Sequence, residues 1–102
     1  MSKMHNPAHA GQILAEWLDG LKENNTPISI TELAENIHIT RAMLSRIING
    51  KAPLTADIAL RLHDALGISA EMLMKVQANH SLWAASQKQR PSIKPLHHQY
   101  AH

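Results

Sequence analysis

The chain has no cysteine among its 102 residues. That absence excludes a disulfide scaffold, a thiolate nucleophile and a zinc finger together. Nor is there an apolar run approaching the roughly 20 residues that a membrane-spanning helix needs. The opening MSKMHNPAHAG lacks the apolar core of a secretion signal, so the expectation is a soluble, cytoplasmic protein with no membrane contact. No phosphate-binding loop, HExxH pair or Ser-His-Asp arrangement can be found, and no enzyme activity is expected. Eight histidines are many for this length, and His97, His98 and His102 could chelate a metal loosely. They lack a carboxylate partner and the spacing of a structural site, so neither metal nor cofactor is expected. Asp57 and Asp64 share a helix face, but nothing around them forms a pocket, and solvated side chains account for them.

A local absence is more telling. Between Glu35 and Asp57 there is no acidic residue, whereas Arg41, Arg46 and Lys51 all fall inside that interval. A patch of one sign attracts phosphate and releases condensed counterions from DNA. The formal net charge of +2 is too small to identify a nucleic-acid binder, so this clustering carries the point. At 44% hydrophobic residues the composition is that of a globular domain with a single core.

The same interval has a readable architecture. Ser29 followed by Glu32 is a capping box, and Leu33, Ala34 and Ile37 then recur at helical spacing. The pattern breaks at His38-Ile39, and Thr40 offers a new N-cap. Leu44, Ile47 and Ile48 form the apolar face of the helix that follows. Its opposite face presents Arg41, Ala42, Ser45, Arg46 and Asn49. Gly50 ends it in a left-handed conformation, and Pro53 prevents continuation. Two short helices joined by a tight turn, the second basic outside, make a helix-turn-helix unit whose second helix enters the major groove.

Further helices flank this pair. Residues 10–23 place Ile13, Leu14, Trp17, Leu18 and Leu21 on one face. Thr55 caps a helix over 56–66 with Ile58, Leu62 and Leu66 inward, and Gly67 closes it. Ser69 begins a fifth helix running toward Trp83 or Ser86. The expected fold is all-α: five helices, preceded by a flexible segment 1–9 and followed by a mobile, basic, proline-containing tail over 87–102.

Residues 28–51 and 54–73, with the capping serine, Glu32-Leu33-Ala34, the Thr40-initiated helix and Asn49-Gly50-Lys51, resemble the Xre/Cro helix-turn-helix family. These are the five-helix domains of phage repressors such as the lambda repressor. His9-Ala10-Gly11-Gln12-Ile13-Leu14 is similar to the H-P-G-E-x-L opening of HigA-type antitoxins. Leu54-Thr55, Ile58-Ala59, Val76-Gln77 and Ser81-Leu82 match other segments of that branch. Ala10 and Gln12 replace its proline and glutamate, and Met72-Leu73 stands where an aromatic pair is common.

That resemblance implies roles. Thr40 would hold a phosphate at the start of the recognition helix, with Ser29 at a second helix start. Arg41, Ala42 and Arg46 fall where the family reads base edges, and Ser45 lies between base and phosphate rows. Asn49 and Lys51 match backbone-clamping positions. The implied partners are double-stranded operator DNA, a second copy of the chain, and a toxin of the RelE-like mRNA-interferase type. The implied function is an autoregulating repressor and antitoxin. Met72, Met74, Val76, Leu82 and Trp83 are the candidate dimer surface. Two other readings stay open: a stand-alone repressor without a toxin, and a protein-binding module that has lost DNA contact.

Overall fold

The computed structural model describes residues 6–97. Among these, five helices and no strand are found: α1 (Ala10–Glu23), α2 (Ile30–Asn36), α3 (Arg41–Ile48), α4 (Ala56–Leu66) and α5 (Ala70–Ser86). The all-α expectation holds. His98 and His102 lie outside the described residues.

Every helix starts on a side chain. The oxygens of Ser29, Thr40, Thr55 and Ser69 accept from the backbone N–H three residues on, at 3.0, 3.0, 3.3 and 3.1 Å. Each such cap contributes about 1 kcal/mol by satisfying a donor that the helix cannot. At α1 the Gln12 side-chain oxygen accepts from the His9 N–H at 3.0 Å. The departure from glutamate is therefore conservative, because an amide oxygen makes the same bond.

Three helices end alike. A left-handed residue follows the last turn, and its N–H and the next one bond back to the helix carbonyls. In α1 this residue is Asn25, in α2 His38 and in α3 Gly50. At α3 the Gly50 N–H reaches the Ile47 carbonyl at 3.1 Å and the Lys51 N–H reaches that of Arg46 at 2.7 Å. Gly67 at φ +76° closes α4 with one bond to the His63 carbonyl.

The core is apolar throughout. Leu14, Leu33, Leu44, Ile47, Leu62, Ile68 and Leu73 are fully buried, and no polar side chain joins them. The helix α3 packs on α1 and α2, while α5 packs on α4 and α1. Ala34 and Ala59 are buried as well, and their small side chains let neighbouring helices approach. Gly11 marks the tightest approach. A Cβ there would stand 2.0 Å from the Ile47 carbonyl oxygen and 2.7 Å from that of Ile48. The start of α1 thus lies directly on the backbone of the end of α3.

Two expectations are corrected. Trp17 is 38% exposed, because α1 packs mainly on α3 and α5 and the indole lies at an open edge with Ile13, Leu21 and Leu66. Met72 and Met74 pack against the core of their own chain, and Val76 is half-buried, so little of the candidate dimer surface is free. Leu82 is the exception at 65% exposure. Residues 87–97 are exposed and form no helix or strand. With the distal half of α5 they stretch the molecule to 56 × 24 × 21 Å.

The two helical glycines of α1 predict opposite outcomes for one substitution. Gly11→Ala forces backbone apart and should lower the unfolding free energy by about 1–3 kcal/mol or more. Gly20→Ala meets nothing within 4 Å and should raise it by about 0.5–1 kcal/mol. Urea denaturation of both variants checks the pair.

Candidate nucleic-acid interface

The eight residues of α3 are too few to hold a helix alone, so tertiary packing fixes it. Leu44 and Ile47, completely buried, point its inner face at α1 and α2. Helical geometry then turns Arg41, Ala42, Ser45, Arg46 and Asn49 outward. All are exposed except Ser45, which is partly covered. The structure thus brings these five predicted residues onto one surface, with Thr40 at its start and Lys51 at its end.

Their local partners differ. Arg41 has none among the described residues, so its guanidinium is free at the positive end of the helix. Arg46 donates from Nη2 to the Lys51 carbonyl at 3.3 Å, which draws its side chain over the loop that ends α3. Asn49 donates from Nδ2 to Ser45 Oγ at 3.4 Å, linking two positions one turn apart on the outer face. Thr40 Oγ1 accepts the Met43 N–H and keeps its own hydroxyl hydrogen for an outside acceptor. Ser29 stands apart. Its N–H donates to Glu32 Oε1 at 3.2 Å, which places a carboxylate at the α2 start where a phosphate would have to sit.

Two features were not read from the sequence. Met43, 39% exposed, adds an apolar spot beside Ala42, the chemistry that meets a thymine methyl. The pattern of apolar residues assigns it to neither face. The second is Arg61 on α4. Its Nη1 donates to the carbonyls of Ile37 at 3.0 Å and His38 at 3.4 Å, while Asp57 takes its remaining donors at 3.0 and 3.3 Å. The i, i+4 spacing of Asp57 and Arg61 announces the ion pair. Nothing in the sequence announces the carbonyls 23 and 24 positions away.

Those carbonyls belong to the turn between α2 and α3. His38 there is left-handed at φ +62°, a conformation that costs a residue with a Cβ about 1–2 kcal/mol. Its N–H bonds to the Glu35 carbonyl at 3.2 Å and that of Ile39 to Ala34 at 3.0 Å, so the turn is closed by backbone and then clamped by Arg61. The angle between α2 and α3, and hence the pose of the basic face, depends on this turn. Arg61→Ala should lower stability by about 1–2 kcal/mol, a charged hydrogen bond discounted for partial exposure. A shift of the urea midpoint at unchanged slope is the expected signature. Arg61→Lys, which keeps the Asp57 pair without the fork, should fall between.

A helix-turn-helix family model matches residues 28–73, from the approach to α2 into the first turn of α5. Virulence-associated protein A' of Dichelobacter nodosus is 36% identical over 95 residues, spanning 92% of this chain and 78% of that protein. An addiction module antidote protein of a HigA family from Coxiella burnetii superposes with a TM-score of 0.70 at 32% identity, over 81% of this chain and 86% of that one. The Pseudomonas aeruginosa antitoxin HigA, solved with the higBA promoter, gives a TM-score of 0.66 at 31% identity. That match covers 88% of this chain and 98% of its counterpart.

Proposed function

The chain belongs to the helix-turn-helix family, in its HigA-type antitoxin branch, and from that premise we propose that it represses its own operon as an operator-binding antitoxin. The observation that carries this is the outer face of α3, where two arginines and no carboxylate are held by a fully buried inner face. The arginines read guanine edges in the major groove, Arg41 from the helix start and Arg46 from one turn further on. Ala42 and Met43 supply the apolar contact between them. Thr40, Asn49 and Lys51 hold backbone phosphates and set the register, with Ser45 between the two rows. Ser29 contributes only if a phosphate can approach past Glu32.

One such unit reads few base pairs, so two copies bind inverted half-sites about one helical turn apart. The second activity is neutralisation of a toxin of the RelE-like type, and no catalysis is assigned to the chain. Support for the toxin comes from the antitoxin relatives alone. A free-standing repressor would share every feature of the DNA face and differ only in lacking that partner.

The test is a fluorescence titration on the chain's own upstream promoter beside scrambled DNA of equal length. Arg41→Ala and Arg46→Ala should each weaken promoter binding by about 5- to 150-fold, the equivalent of one bidentate pair. Lys51→Ala should weaken both DNAs alike. Equal binding to both DNAs, untouched by either arginine change, would leave only the protein-binding module standing. Co-purification with the product of the adjacent reading frame separates antitoxin from lone repressor.

A further inference from the structure

Beside the end of α3 lies a cleft that the recognition face does not include. It is built by three separate parts of the chain: His9 at the start of α1, Gly50 and Lys51 after α3, and His80 and Ser81 on α5 with Lys88 just past its end. The His9 ring lies so close to Gly50 that a Cβ there would stand 2.8 Å from its Nε2. His9 and His80 meet edge to face, ring centroids 5.4 Å apart. His80 Nδ1 lies 3.1 Å from the Pro7 carbonyl oxygen. A carbonyl only accepts, so Nδ1 carries the hydrogen and Nε2 is the nitrogen left for another partner. All four charged or titratable groups of the cleft, His9, Lys51, His80 and Lys88, are basic, and no carboxylate lines it.

We propose that this cleft is a second phosphate seat of the DNA interface, holding a backbone phosphodiester between Lys51 and Lys88 beside the segment that α3 reads. The inference rests on the proposed DNA-binding role, since Lys51 is the residue the two surfaces share. Charge complementarity selects the ligand. A concave, acid-free site with two ammonium groups suits an anion, and its continuity with the end of the recognition helix makes a DNA phosphate the nearest one. Lys88, two residues past the end of α5, lines the same cleft as Lys51.

Protonation strengthens the seat. Burial and the neighbouring His80 hold the His9 imidazole below its ordinary pKa of 6.5, so the free protein keeps it neutral at pH 7. A bound phosphate favours the His9 imidazolium. Affinity should therefore rise as the pH falls from 8 to 6.

The experiment is a titration of the full chain with labelled promoter duplex at several salt concentrations, comparing Lys88→Ala with Lys94→Ala and Arg46→Ala. Lys88→Ala should weaken promoter and scrambled DNA alike and reduce the slope of log affinity against log salt by about 0.9, one phosphate contact. Lys94→Ala removes the same charge outside the cleft and should leave the slope unchanged. In His9→Gln the gain in affinity between pH 8 and pH 6 should shrink. If Lys88→Ala matches the parent while Arg46→Ala loses promoter preference, the seat is overturned and the proposed function stands. If the parent itself shows no preference for its promoter, both fall. Inorganic phosphate that shifts the His80 imidazole resonances, with the DNA slope unmoved by Lys88→Ala, would assign the cleft to a free anion instead.

Discussion

The complete burial of Leu44 and Ile47 is the constraint from which the rest follows. A helix of two turns has no stability of its own, and these side chains hold it against α1 and α2. Once they are inside, the helical period leaves no freedom over which residues point out. Polar groups on the outer face need contribute nothing to folding, so that face is free to be chosen for binding. The missing side chain at Gly11 serves the same end from the other side, because it lets α1 rest on the carbonyls that close α3.

Much of this was legible in the residues, for a local reason. Caps, glycine stops and apolar periods act within four positions of one another, so Ser29, Thr40, Thr55 and Ser69 marked the helix starts where the structure has them. The outer face of α3 was legible too, since it is the complement of an apolar stripe. What escaped was decided at long range. Arg61 announces its pair with Asp57 but not its reach to the turn before α3. Trp17 has the period of a core residue, yet it lies at an edge that the packing leaves open. Met72 and Met74 look like surplus apolar surface until α4 is seen beneath α5. The cleft between His9, Lys51 and Lys88 joins residues that no pattern along the chain connects.

The turn at His38 shows how such a fold tolerates an unsuitable residue. Glycine would occupy a left-handed position without strain. Histidine does so here because two backbone bonds and the Arg61 fork over-determine the geometry. The strain is local while the clamp comes from another helix, so α4 takes part in setting the pose of α3.

The reach of α5 and the segment after it has a hydrodynamic consequence. With a radius of gyration of 17.1 Å, one chain extends as far as a compact protein of about 220 residues would. A monomer of 11.3 kDa will therefore leave a sizing column ahead of globular standards of its mass. Early elution is what a single copy already gives, so the number of copies in solution has to come from mass, by light scattering or sedimentation equilibrium, and not from volume.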